Sequence, residues 1–206
     1  VNGATADLTG VIQLIINGLD GNDTFTVQDV PGALVQVELN GDGGSDTIFE
    51  QGGATTWNMT GPGSGFVTGA DDFTFSDIEN ITTGGAADSF LFANDSAQLA
   101  GNLNGGSGSD TLDYSGRTNS VSVNLATSTA TAIGGTISGI DVLVGSAGVD
   151  TLTGPNSNSV WHVTGAGSGD IDGVFFFSAI ENLIGGTGSN ELVFHGTSGN
   201  DTVVVA

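Results

Sequence analysis

The chain contains no cysteine, one methionine, three prolines and a single basic side chain, Arg117. Without cysteine there is no disulfide framework to infer. One base stands against 23 acidic residues, a formal net charge of −22. Nothing is therefore available to neutralise phosphates, which argues against nucleic acid and anionic membranes as partners. No apolar run approaches the ~18–20 residues of a membrane span. Helical periodicity is also missing, and the glycine density would oppose a helix in any case. Val1 opens no signal-peptide pattern, so the chain is expected to be a processed product or an excerpt.

What is present is glycine, 36 in 206 residues, with 37% hydrophobic residues. That is too apolar and too regularly patterned for disorder, and too rich in glycine for an ordinary α/β domain. The acidity suits a solvated extracellular surface, a binder of divalent cations, or both. One turn is written repeatedly: "INGLDGNDTFTV" at 16, "LNGDGGSDTIF" at 39, "TTGGAADSFLF" at 82, "LNGGSGSDTLDYSG" at 103, "LVGSAGVDTLT" at 143, "LIGGTGSNELVF" at 183 and "HGTSGNDTVVV" at 195. The markers closing these turns are Asp23, Asp46, Asp88, Asp110, Asp150, Asn190 and Asp201. All but the last spacing fall near one or two multiples of about 20 residues, a coil length for a repeat architecture. A weaker "GSGD" ending at Asp170 fills one of the double spacings.

A longer repeat is laid over the short one. "TTWNMTGPGSG" at 55 matches "SVWHVTGAGSG" at 159, with Trp57 and Trp161 equivalent. "FTFSDIENITTGGAADSFLF" at 73 matches "FFFSAIENLIGGTGSNELVF" at 175 after a two-residue deletion, and "TISGIDVLVGSAGVDTLT" at 136 is a looser copy. A unit of roughly 100 residues is duplicated, with no linker, so residues 1–206 read as one continuous repeat domain. Between the turns lie short segments that alternate apolar with polar and favour β-branched or aromatic residues, such as "ALVQVEL", "SVSVNLA" and "NELVF". Short strands at a repeat of about 20 residues predict an all-β parallel β-solenoid. Its inward rows are expected to include Val35, Val37, Leu39, Leu91, Val121, Val123, Leu125, Leu152, Val193 and Phe194.

"GGSGSDTLD", Gly105 to Asp113, fits the calcium-binding nonapeptide G-G-x-G-x-D-x-U-x of RTX-type β-rolls, with Leu112 as the apolar U. Over nearly its full length the chain resembles the β-strand-repeat regions of large secreted bacterial surface and adhesin-like proteins. The resemblance implies a secreted or cell-surface location and a Ca²⁺ ion held between stacked turns.

On that basis the candidate metal ligands are Asp23, Asp46, Asp88, Asp110, Asp150 and Asp170. An aspartate after glycine-bent backbone adds a hard anionic oxygen, suited to a cation that takes six to eight oxygens. Aspartates one coil apart pair Asp23 with Asp46, Asp88 with Asp110, and Asp150 with Asp170. Yet the nonapeptides are not in tandem and one turn carries Asn190. The alternative is that Asp and Asn close the turns by Asx hydrogen bonds and stack as polar ladders without metal. Calcium is compatible with the sequence and not required by it.

Other chemistry is thinly supported. His162 and His195 have no Cys or His at metal spacing and read as polar strand or turn positions. Asp71–Asp72 and Asp170/Asp172 are the pairs that glycoside hydrolysis would use, but so acidic a chain yields pairs by chance. Trp57 and Trp161 are expected in the core rather than on a sugar-stacking surface. The threonine pairs Thr24/Thr26, Thr129/Thr131 and Thr151/Thr153 are too scattered for an ice-binding ladder. The expected function is therefore non-enzymatic: a stiff acidic rod or fibre. Its expected partners are copies of itself or adjacent repeats, head to tail, because end-to-start the text "GNDTVVVAVNG" continues the repeat. A calcium-dependent adhesin module binding a glycan or host surface is the alternative, and a β-helix polysaccharide-active enzyme a more distant one.

Overall fold

The structure is a computed structural model and describes residues 13–28 and 36–195. Val35 and the turn ending at Asp201 lie outside the described residues. Among the described residues the protein is all-β, with no helix and most strand pairs parallel.

The largest sheet has twelve strands. It begins with β1 (Gln13–Asn17) beside β3 (Gln36–Asn40), then β7 (Phe73–Ser76), β6 (Ser64–Gly69) and β5 (Thr55–Gly61). It continues with β9 (Ser89–Phe92), β11 (Thr111–Asp113) and β15 (Val142–Val144). It ends with β19 (Phe175–Ser178), β18 (Ser168–Ile171), β17 (Ser159–Gly165) and β21 (Asn190–Phe194). A second sheet, wholly parallel, orders β14 (Ile137–Ser138), β10 (Leu103–Asn104), β8 (Asn80–Thr82), β4 (Thr47–Glu50) and β2 (Thr24–Val27). A third orders β13 (Thr129–Ala130), β12 (Ser122–Asn124), β16 (Thr151–Thr153) and β20 (Asn182–Ile184). The chain passes from the first sheet to the second or third and back. Most passes set a new strand parallel to one laid before it.

This pairing stacks like on like. In the first sheet Trp57 pairs with Phe90, Phe90 with Leu112, Leu112 with Leu143 and Leu143 with Phe177, all buried. In the second, Phe25, Ile48, Ile81, Leu103 and Ile137 form one row, also buried. Alternation sends one face of each strand inward, and these rows merge into a single apolar core. Leu39, Val121, Val123 and Leu152 lie where the sequence predicts, while Val37 and Leu125 pack half-buried at the core's edge. Leu91 and Phe194 do not. Leu91 points outward between buried Phe90 and Phe92, because residues i and i+2 share a face. Phe194 is 44% exposed on β21, a strand paired on one side only among the described residues, and its neighbour Val193 is half-buried.

The predicted spacing of about 20 is close in places and too short elsewhere. Hydrogen-bonded turns lie 23 residues apart at Asp23 and Asp46, and 22 apart at Asp88 and Asp110. The separation rises to 33 from Asp46 to Glu79 and to 31 from Asp150 to Glu181. The reason is a feature the sequence reading did not anticipate, an antiparallel meander set into the parallel sheet. Strand β6 runs antiparallel to its neighbours β5 and β7, and β18 repeats the arrangement between β17 and β19. The outer members, β7 with β3 and β5 with β9, rejoin the sheet in parallel. This meander is the structural content of the duplicated unit.

Candidate functional site: a ladder of buried carboxylates

Four of the marked turns, those at Asp46, Asp88, Asp110 and Asp150, end with a carboxylate that holds the backbone of a neighbouring pass. The Asp23 amide donates to Asp46 Oδ1 at 2.7 Å, and the Asp46 amide donates in turn to Glu79 Oε2 at 2.7 Å. Asp88 Oδ1 accepts both the Thr55 amide and its hydroxyl, each at 2.8 Å. The Asp88 amide donates to Asp110 Oδ1 at 2.8 Å, and the Asp110 amide to Asp141 Oδ2 at 3.0 Å. Asp150 Oδ1 accepts from the Val121 amide at 2.7 Å, and the Asp150 amide donates to Glu181 Oε2 at 2.8 Å. The same aspartates offer their carbonyls to the following strand, as Asp88 does to the Thr111 amide at 2.8 Å.

The turn aspartates are mostly internal, whereas Glu79 and Asp141 are half-buried and Glu181 is exposed. Asp46, Asp110 and Asp150 are fully buried, Asp88 almost so, and Asp23 half-buried. A bend between two strands leaves an amide that cannot join the ladder, and a buried amide without an acceptor is costly. The carboxylate supplies that acceptor. Burial in turn pushes the Asp110 carboxyl above its usual range; the Asp88 amide opposes this, and the charges of Asp88 and Asp141 add to it.

The second oxygens behave less uniformly. Asp150 Oδ2 accepts from the Ser146 amide, and the Ser146 hydroxyl bonds its Oδ1. In Asp23, Asp46, Asp88 and Asp110 the Oδ2 atom is buried without a hydrogen bond. For Asp46 this oxygen lies against the Gly41 backbone, 2.6 Å from where a Cβ would stand, a position also crowded by the Asp77 carbonyl. Here glycine is required by space.

The six predicted ligands are thus distributed unevenly. Asp23 with Asp46 and Asp88 with Asp110 are brought together, each pair through a backbone amide. Asp150 is not joined to Asp170; its partner in that direction is Glu181. Asp170 is no turn marker at all, but a residue of β18. Its Oδ1 lies 2.8 Å from His162 Nδ1 and accepts the Gly173 amide at 2.8 Å. Burial opposes its ionisation, but the hydrogen bonds from His162 and Gly173 and the charges of His162 and His195 outweigh it, holding the carboxyl below its usual range. The two histidines, far apart in sequence, come to a ring separation of 5.6 Å. Among the described residues no three His, Cys, Asp or Glu side chains form a group that could hold a metal ion.

The acids that complete the ladder, Glu79, Asp141 and Glu181, were not singled out from sequence. Their signal was present. Each is the acid of a repeated phrase, "SDIEN", "SGID" and "SAIEN", at one equivalent position in the three copies. Asn190 shows what the neutral side chain does instead. Its amide donates to the Gly186 and Gly188 carbonyls at 3.1 and 3.0 Å, and the Ser159 amide turns to the Ser189 carbonyl. Trp57 and Trp161 are both buried. Comparison of the chain with protein-family models, with curated proteins and with solved structures finds no match.

Proposed function

We propose that this chain is a parallel β-solenoid and that its work is structural: a stiff acidic segment that extends or spaces a secreted or cell-surface protein. The observation carrying this reading is the direction of the carboxylates. The turn carboxylates of Asp46, Asp88, Asp110 and Asp150 are buried and hold backbone amides. The regular return of the chain between sheets supports the solenoid. The twelve strands of the largest sheet, spaced by ~4.8 Å, give a rod about 50 Å long.

On this reading the carboxylates work without calcium, and their negative charge keeps neighbouring rods apart. The partners are copies of the chain or adjacent repeats, stacked head to tail so that strand edges are covered. The adhesin alternative loses its best contacts, since both tryptophans lie in the core. Small-angle scattering with sedimentation at rising concentration tests the proposal. An elongated particle that lengthens with concentration at constant cross-section is expected. A compact particle that stays monomeric at every concentration would overturn it.

A further inference from the structure

The first meander is tethered by acids that the ladder does not use. Glu50, at the end of β4, is fully buried, and Asp71, between β6 and β7, is 1% exposed. Glu50 Oε1 and Asp71 Oδ2 converge on Gly52, the former 2.6 Å from where its Cβ would stand and the latter nearer still. The two buried carboxyls thus face each other across that point, with Glu50 Oε2 buried without a hydrogen bond, and Glu50 also accepts the Gly52 amide. Two carboxylates have no donor between them, so a hydrogen bond there requires a proton on one.

Among the described residues no base is at hand to replace that proton. The strands paired with β4, β2 and β8, carry no titratable residue, and neither do β5, β6, β7 or β9. The charged groups acting on Glu50 are Asp71 and Asp88, both acidic. Arg117 is committed elsewhere, to the carbonyls of Asn94, Ala97 and Asp95.

The duplicated unit supplies an internal comparison. Where the first unit has Glu50, Asp71 and Asp88, the second has Gly154, Gly173 and Asn190, counted from the matching strands. All three acids are absent together. In the first unit Trp57 Nε1 donates to Thr55 Oγ1, whose hydroxyl donates to Asp88; in the second, Trp161 Nε1 is buried without a partner.

We propose that a proton shared by Glu50 and Asp71 latches the first meander, β5–β7, to the β4 corner, and that its loss in alkaline solution releases this meander while leaving the second closed. Burial is the main cause that pushes Glu50 up to about 7, countered by the Gly52 amide and reinforced by the charges of Asp88 and Asp71. A carboxyl raised in this way stabilises the fold fully below its ordinary range, and the stabilisation is lost as pH rises through about 7.

Amide hydrogen exchange, corrected for its intrinsic pH dependence, tests the latch at about pH 5.5 and 8.5, on either side of the transition. The β5 amides are expected to exchange about tenfold faster at the higher pH, with β17 amides unchanged. Glu50→Gln, which keeps a donor toward Asp71 at every pH, is expected to abolish the difference; Asp71→Asn does the same from the other side. Equal acceleration in both meanders, or a Glu50→Gln protein that still responds, overturns the proposal. So does recovery of protection by added Ca²⁺ at the higher pH in matched ionic strength, which would make the corner a cation site.

Discussion

Asp110 is bound twice, once by its carboxylate to the Asp88 amide and once by its amide to Asp141. Truncation by Asp110→Ala would leave the Asp88 amide buried without an acceptor, and a loss of about 1–3 kcal/mol is expected in denaturant melts. Asp110→Asn keeps an acceptor oxygen, and its amide can turn to the bend carbonyls as Asn190 does. It should stay within about 1 kcal/mol of the parent. A loss from the Asn variant as large as from the Ala variant would show that the charge, not the acceptor, matters. Gly41→Ala drives a Cβ into the Asp77 carbonyl and Asp46 Oδ2, and should be at least as damaging as Asp110→Ala. At this scale the sequence revealed the turn-closing aspartates, because glycine and Asx chemistry is local. It concealed Glu79, Asp141 and Glu181, because an acid that serves an amide some 31–33 residues away has no local signature.

Among elements, the two meanders share a topology but differ in packing. Trp57 is fully buried and meets Phe73 edge-on at 5.6 Å, Phe75 at 5.6 Å and Phe90 stacked at 6.2 Å. Trp161 meets Phe177 at 6.1 Å, and its Nε1 has no partner. Trp57→Ala should therefore cost about 3–5 kcal/mol and Trp161→Ala clearly less, read as the shift in denaturant midpoint. Equal losses would contradict the packing described for the second unit. The alternation of apolar residues made the strands legible. The meander was not read, although "TGPGSG" and "TGAGSG" spell its hairpin bends, with Gly63 at φ 56° and Gly167 at φ 67°. Successive side chains alternate between faces in any strand, and where one face is buried that alternation does not separate parallel from antiparallel partners. The same ambiguity placed Asp170 in a turn when it belongs to a strand.

For the whole molecule, one base among 23 acids makes self-repulsion the dominant long-range force. Raising monovalent salt from about 10 to 150 mM shortens the screening length from about 30 to 8 Å and should raise the melting temperature. A fall or no change would show that surface charge is not limiting. The repeated sheets and single core were legible because periodicity is a global property of the chain; the separations of 31 and 33 residues were not, since they depend on where the chain doubles back. The central claim is that the turn carboxylates hold the stack together by accepting backbone amides, with no metal needed. Scanning calorimetry in excess chelator, against calcium at matched ionic strength, tests it most directly. The account expects melting temperatures that agree within about 2 °C, with no heat of calcium binding. A drop of about 10 °C or more in chelator, abolished by Asp110→Asn, would contradict it.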